Sequence, residues 1–191
     1  MLRSIDEYPG DISTRYALRI LPYVFVRSSE LRCATWAEID MDKAEWVIPA
    51  GRMKMRIAHV VPLAPQVVKL LTELRHWTGE GSLLFPSPYS ASRSISDVGL
   101  LNALRRLGYG REEMCIHGFR TTASTLLNEQ GFRPDVIEIQ LAHKEPNAIR
   151  DAYNRAEYMA ERRAMMNAWG DYLDSLRNTG REKKVSMEEK S

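Results

Sequence analysis

Four side chains suited to phosphate chemistry fall between Ile116 and Arg155: His117, Arg120, His143 and Tyr153. His117 and Arg120 are three apart. A helix opened by Gly118 sets them on or near one face, where a proton-trading imidazole and a fixed cation can address one target. A phosphate suits that pair, because a guanidinium grips phosphate oxygens in a planar fork. His143 follows an apolar turn built from Val136, Ile137, Ile139 and Leu141, and Tyr153 comes ten residues later. A phenol with a reference pKa of about 10 is a useful nucleophile only among cations. Singly, each residue is ordinary: a His-x-x-Arg pair mostly decorates a surface, and a lone Tyr mostly packs a core. Order and spacing carry the reading.

The segments HGFRTTASTLL and LAHKEPNAIRDAYNRAEY resemble the second catalytic box of the tyrosine recombinase (phage integrase) family, His-x-x-Arg, Leu-Gly-His, then Tyr. They look most like integrases of phage satellites and genomic islands. Two departures are visible. Ala142 stands where the family usually has Gly, and the His-to-Tyr gap is one residue longer than the commonest spacing, which makes Tyr158 a rival to Tyr153 as nucleophile. RSSELRCATWAEID resembles the family's first box, with Ser28-Ser29 in place of the Pro-Gly of many relatives; the resemblance implies that Arg27 is the first catalytic arginine and Glu30 a supporting carboxylate. An arginine at a helix start is otherwise electrostatically unhelpful, since the dipole there favours anions. GRMKMRIAHVVPL resembles the hairpin whose lysine reaches the scissile phosphate, which implies Lys54 for that role, with Arg52 and Arg56 on the DNA backbone. His59 is open to two readings, packing or DNA contact. Arg105 and Arg106, with Arg111, form a second basic cluster able to track phosphates.

The resemblance implies an α+β fold, mainly helical with a small three-stranded antiparallel sheet, and a site-specific DNA recombinase. Arg27 and Arg120 would hold the non-bridging phosphate oxygens, His143 would add a hydrogen bond and His117 would assist proton traffic. Tyr153 would attack to leave a 3′-phosphotyrosine, with Lys54 as general acid. No metal and no cofactor is expected, because cationic side chains neutralise the charge that a metal would otherwise carry. Expected partners are double-stranded DNA attachment sites, with a homotetramer on DNA for a full-length relative and a monomer for this stretch alone. Two alternatives use the same positions: DNA relaxation of the type IB topoisomerase kind, and a non-catalytic DNA-binding or assembly module.

Periodicity predicts the elements that must position these groups. Residues 1–12 read as a lead-in or linker remnant, 13–176 as the catalytic domain and 177–191 as a mobile tail poor in apolar residues. Helices are predicted over 13–25 (with Pro22 inside), in a short piece around Glu30 capped by Ser28 or Ser29, and over 65–78, 97–107, 118–129, 134–141 and 158–176. Strands are predicted over 35–40, 45–49 and 58–63, and a polar loop over 87–96.

Composition bounds the partners less sharply. Lys and Arg number 27 against 25 acidic residues in 191, a formal charge of +2, so any DNA interface must be a local arrangement. Cys33 and Cys115 match no disulfide framework or zinc spacing. No apolar run approaches the ~20 residues of a membrane span, and no signal-peptide layout opens the chain, so a cytoplasmic protein is expected.

Overall fold

A computed structural model describes residues 1–143 and 158–188, with side chains through 179. The elements are helices α1 (Leu2–Asp6), α2 (Ile12–Val24), α3 (Ser28–Arg32), α4 (Pro65–Thr78), α5 (Asp97–Arg106), α6 (Gly118–Glu129), α7 (Pro134–Gln140) and α8 (Met159–Glu188), with strands β1 (Ile39–Asp40), β2 (Glu45–Ile48), β3 (His59–Pro62), β4 (Pro86–Ser87) and β5 (Ser90–Ser94). The first three strands form an antiparallel sheet in the order β1-β2-β3, and β4-β5 is a separate hairpin. This is the mainly helical α+β fold with the small three-stranded sheet that the sequence predicts.

Helix α2 is the hub. Asp11 caps it by accepting from the Thr14 N–H at 2.9 Å, and ten of its thirteen residues are buried. It packs against α1, α4, α5, α6 and α8. Pro22 is accommodated inside it, and the Pro22 carbonyl accepts instead from Trp169 Nε1 on α8 at 2.9 Å. The helix ends at Phe25 in the left-handed region (φ 56), a conformation that costs a non-glycine residue roughly 1–2 kcal/mol. That turn brings the chain into Arg27 and α3.

Several boundaries differ from expectation. The presumed lead-in contains α1, with Ile5 and Tyr8 fully inside the core, because its apolar residues close the gap between α2 and α8. The presumed tail continues α8 as helix to Glu188. Residues 36–38 form a 3₁₀ turn, so β1 is only two residues long. The expected loop at 87–96 is largely the β4-β5 hairpin; its Ser-rich sequence has no apolar alternation to announce a strand. Helix α3 is capped by Arg27 itself, whose backbone N–H donates to Glu30 Oε2 at 2.7 Å, and Ser28 and Ser29 lie inside the helix. No helix among the described residues is long and apolar enough to cross a membrane.

Candidate active site

Arg120 sits on the buried face of α6 beside Phe119, Ala123 and Leu127, and only 3% of it is exposed. Its NH1 donates to the Phe25 carbonyl and its NH2 to the Leu141 carbonyl at 2.7 Å, so the guanidinium ties the end of α2 to the end of α7. Its buried Nε–H has no partner among the described residues. Burial pushes the Arg120 pKa down to about 10, and the neighbouring Arg27 pushes the same way against weaker support from Glu30 and Glu138. At neutral pH it is still a cation. Holding a second cation close costs energy that a bound anion would return.

Arg27 lies at the mouth of this region. Its NH1 pairs with Glu30 Oε1 at 2.8 Å, and its NH2 is 3.4 Å from the Ala142 carbonyl. Glu30 is buried; one carboxylate oxygen accepts from the Arg27 backbone N–H and the other from its guanidinium. Arg27, His117 and Arg120 line one depression of about 400 Å³. His117, Arg120 and His143 line an adjoining one of about 200 Å³. Four of the six expected catalytic side chains, drawn from α3, α6 and the end of α7, are therefore brought together. His117 is exposed at the first turn of α6, the positive end of that helix dipole. His143 is half-exposed, with Nδ1 2.6 Å from Glu138 Oε2.

Ala142, the residue in place of the family's Gly, is left-handed (φ 50). Two non-glycine residues in that region, Phe25 and Ala142, thus flank the carbonyls that receive Arg120 and Arg27. Backbone held in such conformations concentrates where geometry is over-determined by packing.

Lys54 stands apart. It is exposed in the loop between β2 and β3, does not line either depression, and has no partner among the described residues. The loop itself is fixed two residues earlier, where Arg52 bonds to the Glu38 carboxylate and to the Glu30 carbonyl. Tyr153, the expected nucleophile, lies outside the described residues. Its rival Tyr158 is held under the Arg133 guanidinium, 4.8 Å from ring to cation, with its hydroxyl 3.3 Å from Arg133 NH2. Arg133 caps the N-terminal end of α7, whereas the site is at the C-terminal end, about 10 Å along a seven-residue helix.

The expected DNA contacts fare unevenly. Arg52 is turned inward onto Glu38 and Glu30, because those buried acceptors need a cation more than the solvent does. His59 is buried, with Nε2 3.2 Å from the Gln140 carbonyl. Arg105 closes the loop after α5 by donating to the carbonyls of Tyr109, Gly110 (3.0 Å) and Met114 (2.9 Å). Arg56 is exposed and available, and Arg106 is exposed with NH1 3.4 Å from the Tyr8 hydroxyl. Three contributors escaped the sequence reading. Glu38 anchors both Arg52 and the Trp46 indole (2.9 Å). Arg162, fully buried, reaches Gln140 Oε1 (2.7 Å) and the Val60 carbonyl from α8. Glu138 meets His143. Only Arg162 left any trace in the sequence, with Tyr158, Met159, Met165 and Met166 three and four positions to either side of it. Among the described residues no group of His, Cys, Asp or Glu is arranged to hold a metal.

The Phage integrase family profile matches residues 1–159. The integrase of Enterobacteria phage P4 is 43% identical, the match covering 93% of this chain and 44% of that protein. The prophage integrase IntA of Escherichia coli K12 is 41% identical over 85% of this chain and 39% of its own length. The chain spans less than half the length of the curated relatives it matches. Among solved structures, the integrase from mycobacterium phage Brujita superposes with a TM-score of 0.64 at 14% identity, covering 86% of this chain and 54% of that one. XerH site-specific recombinase, solved bound to its difH substrate before cleavage, gives 0.58 at 19% identity over 84% and 51%. At those identities the likeness is one of fold.

Proposed function

The chain belongs to the phage integrase family, and on that premise we propose that it is the catalytic domain of a site-specific DNA recombinase that integrates or excises a mobile element. One observation supports this most: two arginines 93 positions apart in sequence share one open depression with His117, and Arg120 and His117 share the adjoining one with His143. A single phosphodiester of duplex DNA is the anion that fits such a set on an exposed face.

In this reading Arg27 and Arg120 neutralise the non-bridging oxygens of the scissile phosphate, with a hydrogen bond from His143. The Tyr153 hydroxyl oxygen attacks phosphorus, its proton passing to the histidine side of the site. The P–O bond to the 5′ oxygen breaks, and Lys54 protonates that oxygen as it leaves. DNA is left joined to the enzyme through a 3′-phosphotyrosine. A 5′-hydroxyl from a second strand reverses each transfer, so the phosphodiester energy is conserved and no nucleotide cofactor is consumed. Lys54 must reach the phosphate from outside the depression, a movement its exposed loop position permits. Arg56 and Arg106, both exposed, would contact flanking phosphates. A homotetramer on DNA would bring two attachment sites together, in the cytoplasm at the nucleoid.

The test is covalent trapping on a nicked suicide duplex. Wild-type chain should migrate as a protein–DNA adduct whose peptide map contains Tyr153, and Tyr153→Phe should abolish the adduct while DNA binding persists. An adduct that survives in Tyr153→Phe refutes the assignment of the nucleophile.

A further inference from the structure

Glu138 Oε2 lies 2.6 Å from His143 Nδ1, and the His143 backbone N–H donates to the Glu138 carbonyl at 3.1 Å. Residues five apart do not face each other on a continuing helix. They meet here because α7 ends at Gln140 and the left-handed turn at Ala142 swings His143 back over the last helical turn. The contact is thus a product of the chain reversal and joins two side chains that each remain about half-exposed.

We propose that Glu138 is a positioning residue for His143, an inference that rests on the recombinase reading of the site. A carboxylate at neutral pH only accepts hydrogen bonds, so the proton between the two groups belongs to Nδ1. That fixes the ring's tautomer and its rotation and leaves Nε2 as the nitrogen that meets the phosphate. A donor at Nε2 as well requires protons on both ring nitrogens, with the Nδ1–H still held by Glu138. Glu138 also offsets the cation pair, since its charge acts on Arg120 against the desolvation that weakens that guanidinium. The carboxylate itself touches neither phosphate nor nucleophile in this scheme. It acts by holding one imidazole in one orientation at the edge of a cluster of positive groups.

The experiment uses the full 191-residue chain with Glu138→Ala and Glu138→Gln. Single-turnover adduct formation on the nicked duplex, at saturating DNA, should slow by about 10- to 100-fold in Glu138→Ala, the range seen when carboxylates that orient catalytic histidines are removed. Glu138→Gln, which keeps an acceptor but no charge, should recover part of that loss. Affinity for DNA should stay within about two-fold, because binding energy comes from phosphate contacts that Glu138 does not make. Long-range proton–nitrogen spectra of the histidine rings, recorded without DNA, should show a single Nδ1-protonated form for His143 in wild type and a mixture of tautomers in Glu138→Ala. The proposal is overturned by a Glu138→Ala rate within two-fold of wild type, or by an unchanged His143 ring spectrum in that variant. A wild-type chain that forms no adduct overturns the recombinase reading instead, and the ring spectrum then decides the positioning role by itself.

Discussion

Ala142→Gly is the most direct test of how the site is built. Ala142 has φ 50, in the left-handed region where a Cβ costs roughly 1–2 kcal/mol. Glycine removes that cost but loses more backbone entropy on folding, by roughly 0.5–1 kcal/mol. The balance is a gain of about 0.5–1 kcal/mol, which for a domain of this size raises Tm by about 1–4 °C. Gly131 supplies the mirror experiment: it has φ +83, and a Cβ there meets nothing within 4 Å, so Gly131→Ala should lose about 0.5–1 kcal/mol, the left-handed strain less the chain entropy that alanine recovers. Thermal and urea unfolding of both variants measure the pair. If Gly131→Ala destabilises as expected while Ala142→Gly leaves stability unchanged or lowers it, the turn that sets His143 and the carbonyls of Leu141 and Ala142 is not left-handed, and the reasoning about the site's geometry fails. Because the backbone path is retained, the adduct rate of Ala142→Gly should stay within about three-fold of wild type.

Arg120→Lys should cut single-turnover cleavage by about 10²- to 10³-fold, since an ammonium cannot both bridge the two carbonyls and present a fork to phosphate; a loss of only a few-fold would remove Arg120 from the site. Arg52→Ala should lower stability by about 1–3 kcal/mol through the orphaned Glu38 carboxylate, whereas Arg56→Ala should leave unfolding unchanged and reduce the salt slope of DNA binding by about 1. Burial pushes the Tyr23 hydroxyl up to about 12. The folded protein therefore keeps a proton that the unfolded chain releases near 10. The stability this contributes is present below about pH 10 and lost as pH rises through about 12, and Tyr23→Phe should flatten that decline in urea titrations. Adduct formation should continue in excess EDTA, and a metal requirement, restored by Mg²⁺, would contradict charge neutralisation by side chains alone.

Much of the architecture was legible in the chain because apolar periodicity is a local property. The face of α6 carrying Phe119, Ala123 and Leu127 could be read from spacing, and so could the presence of β2 and β3 and the stops at Gly79 and Gly131. The residue types of the site were equally plain: His117, Arg120 and His143 advertised phosphate chemistry before any of them had a position. What spacing could not give was the destination of each long polar side chain. Arg27, Arg52, Arg56 and Arg105 look alike in sequence. Tertiary structure sends one to the open depression, one to Glu38, one to solvent and one to loop carbonyls. The same holds for His59, buried against Gln140, and for Glu138, which meets His143 only because the chain turns left-handed between them. A cation goes where packing has left a buried acceptor unpaired, and which carbonyl or carboxylate that will be is settled by contacts between segments far apart in the chain. The sequence determined the elements and the chemical vocabulary; the packed fold decided which charges remained available for function.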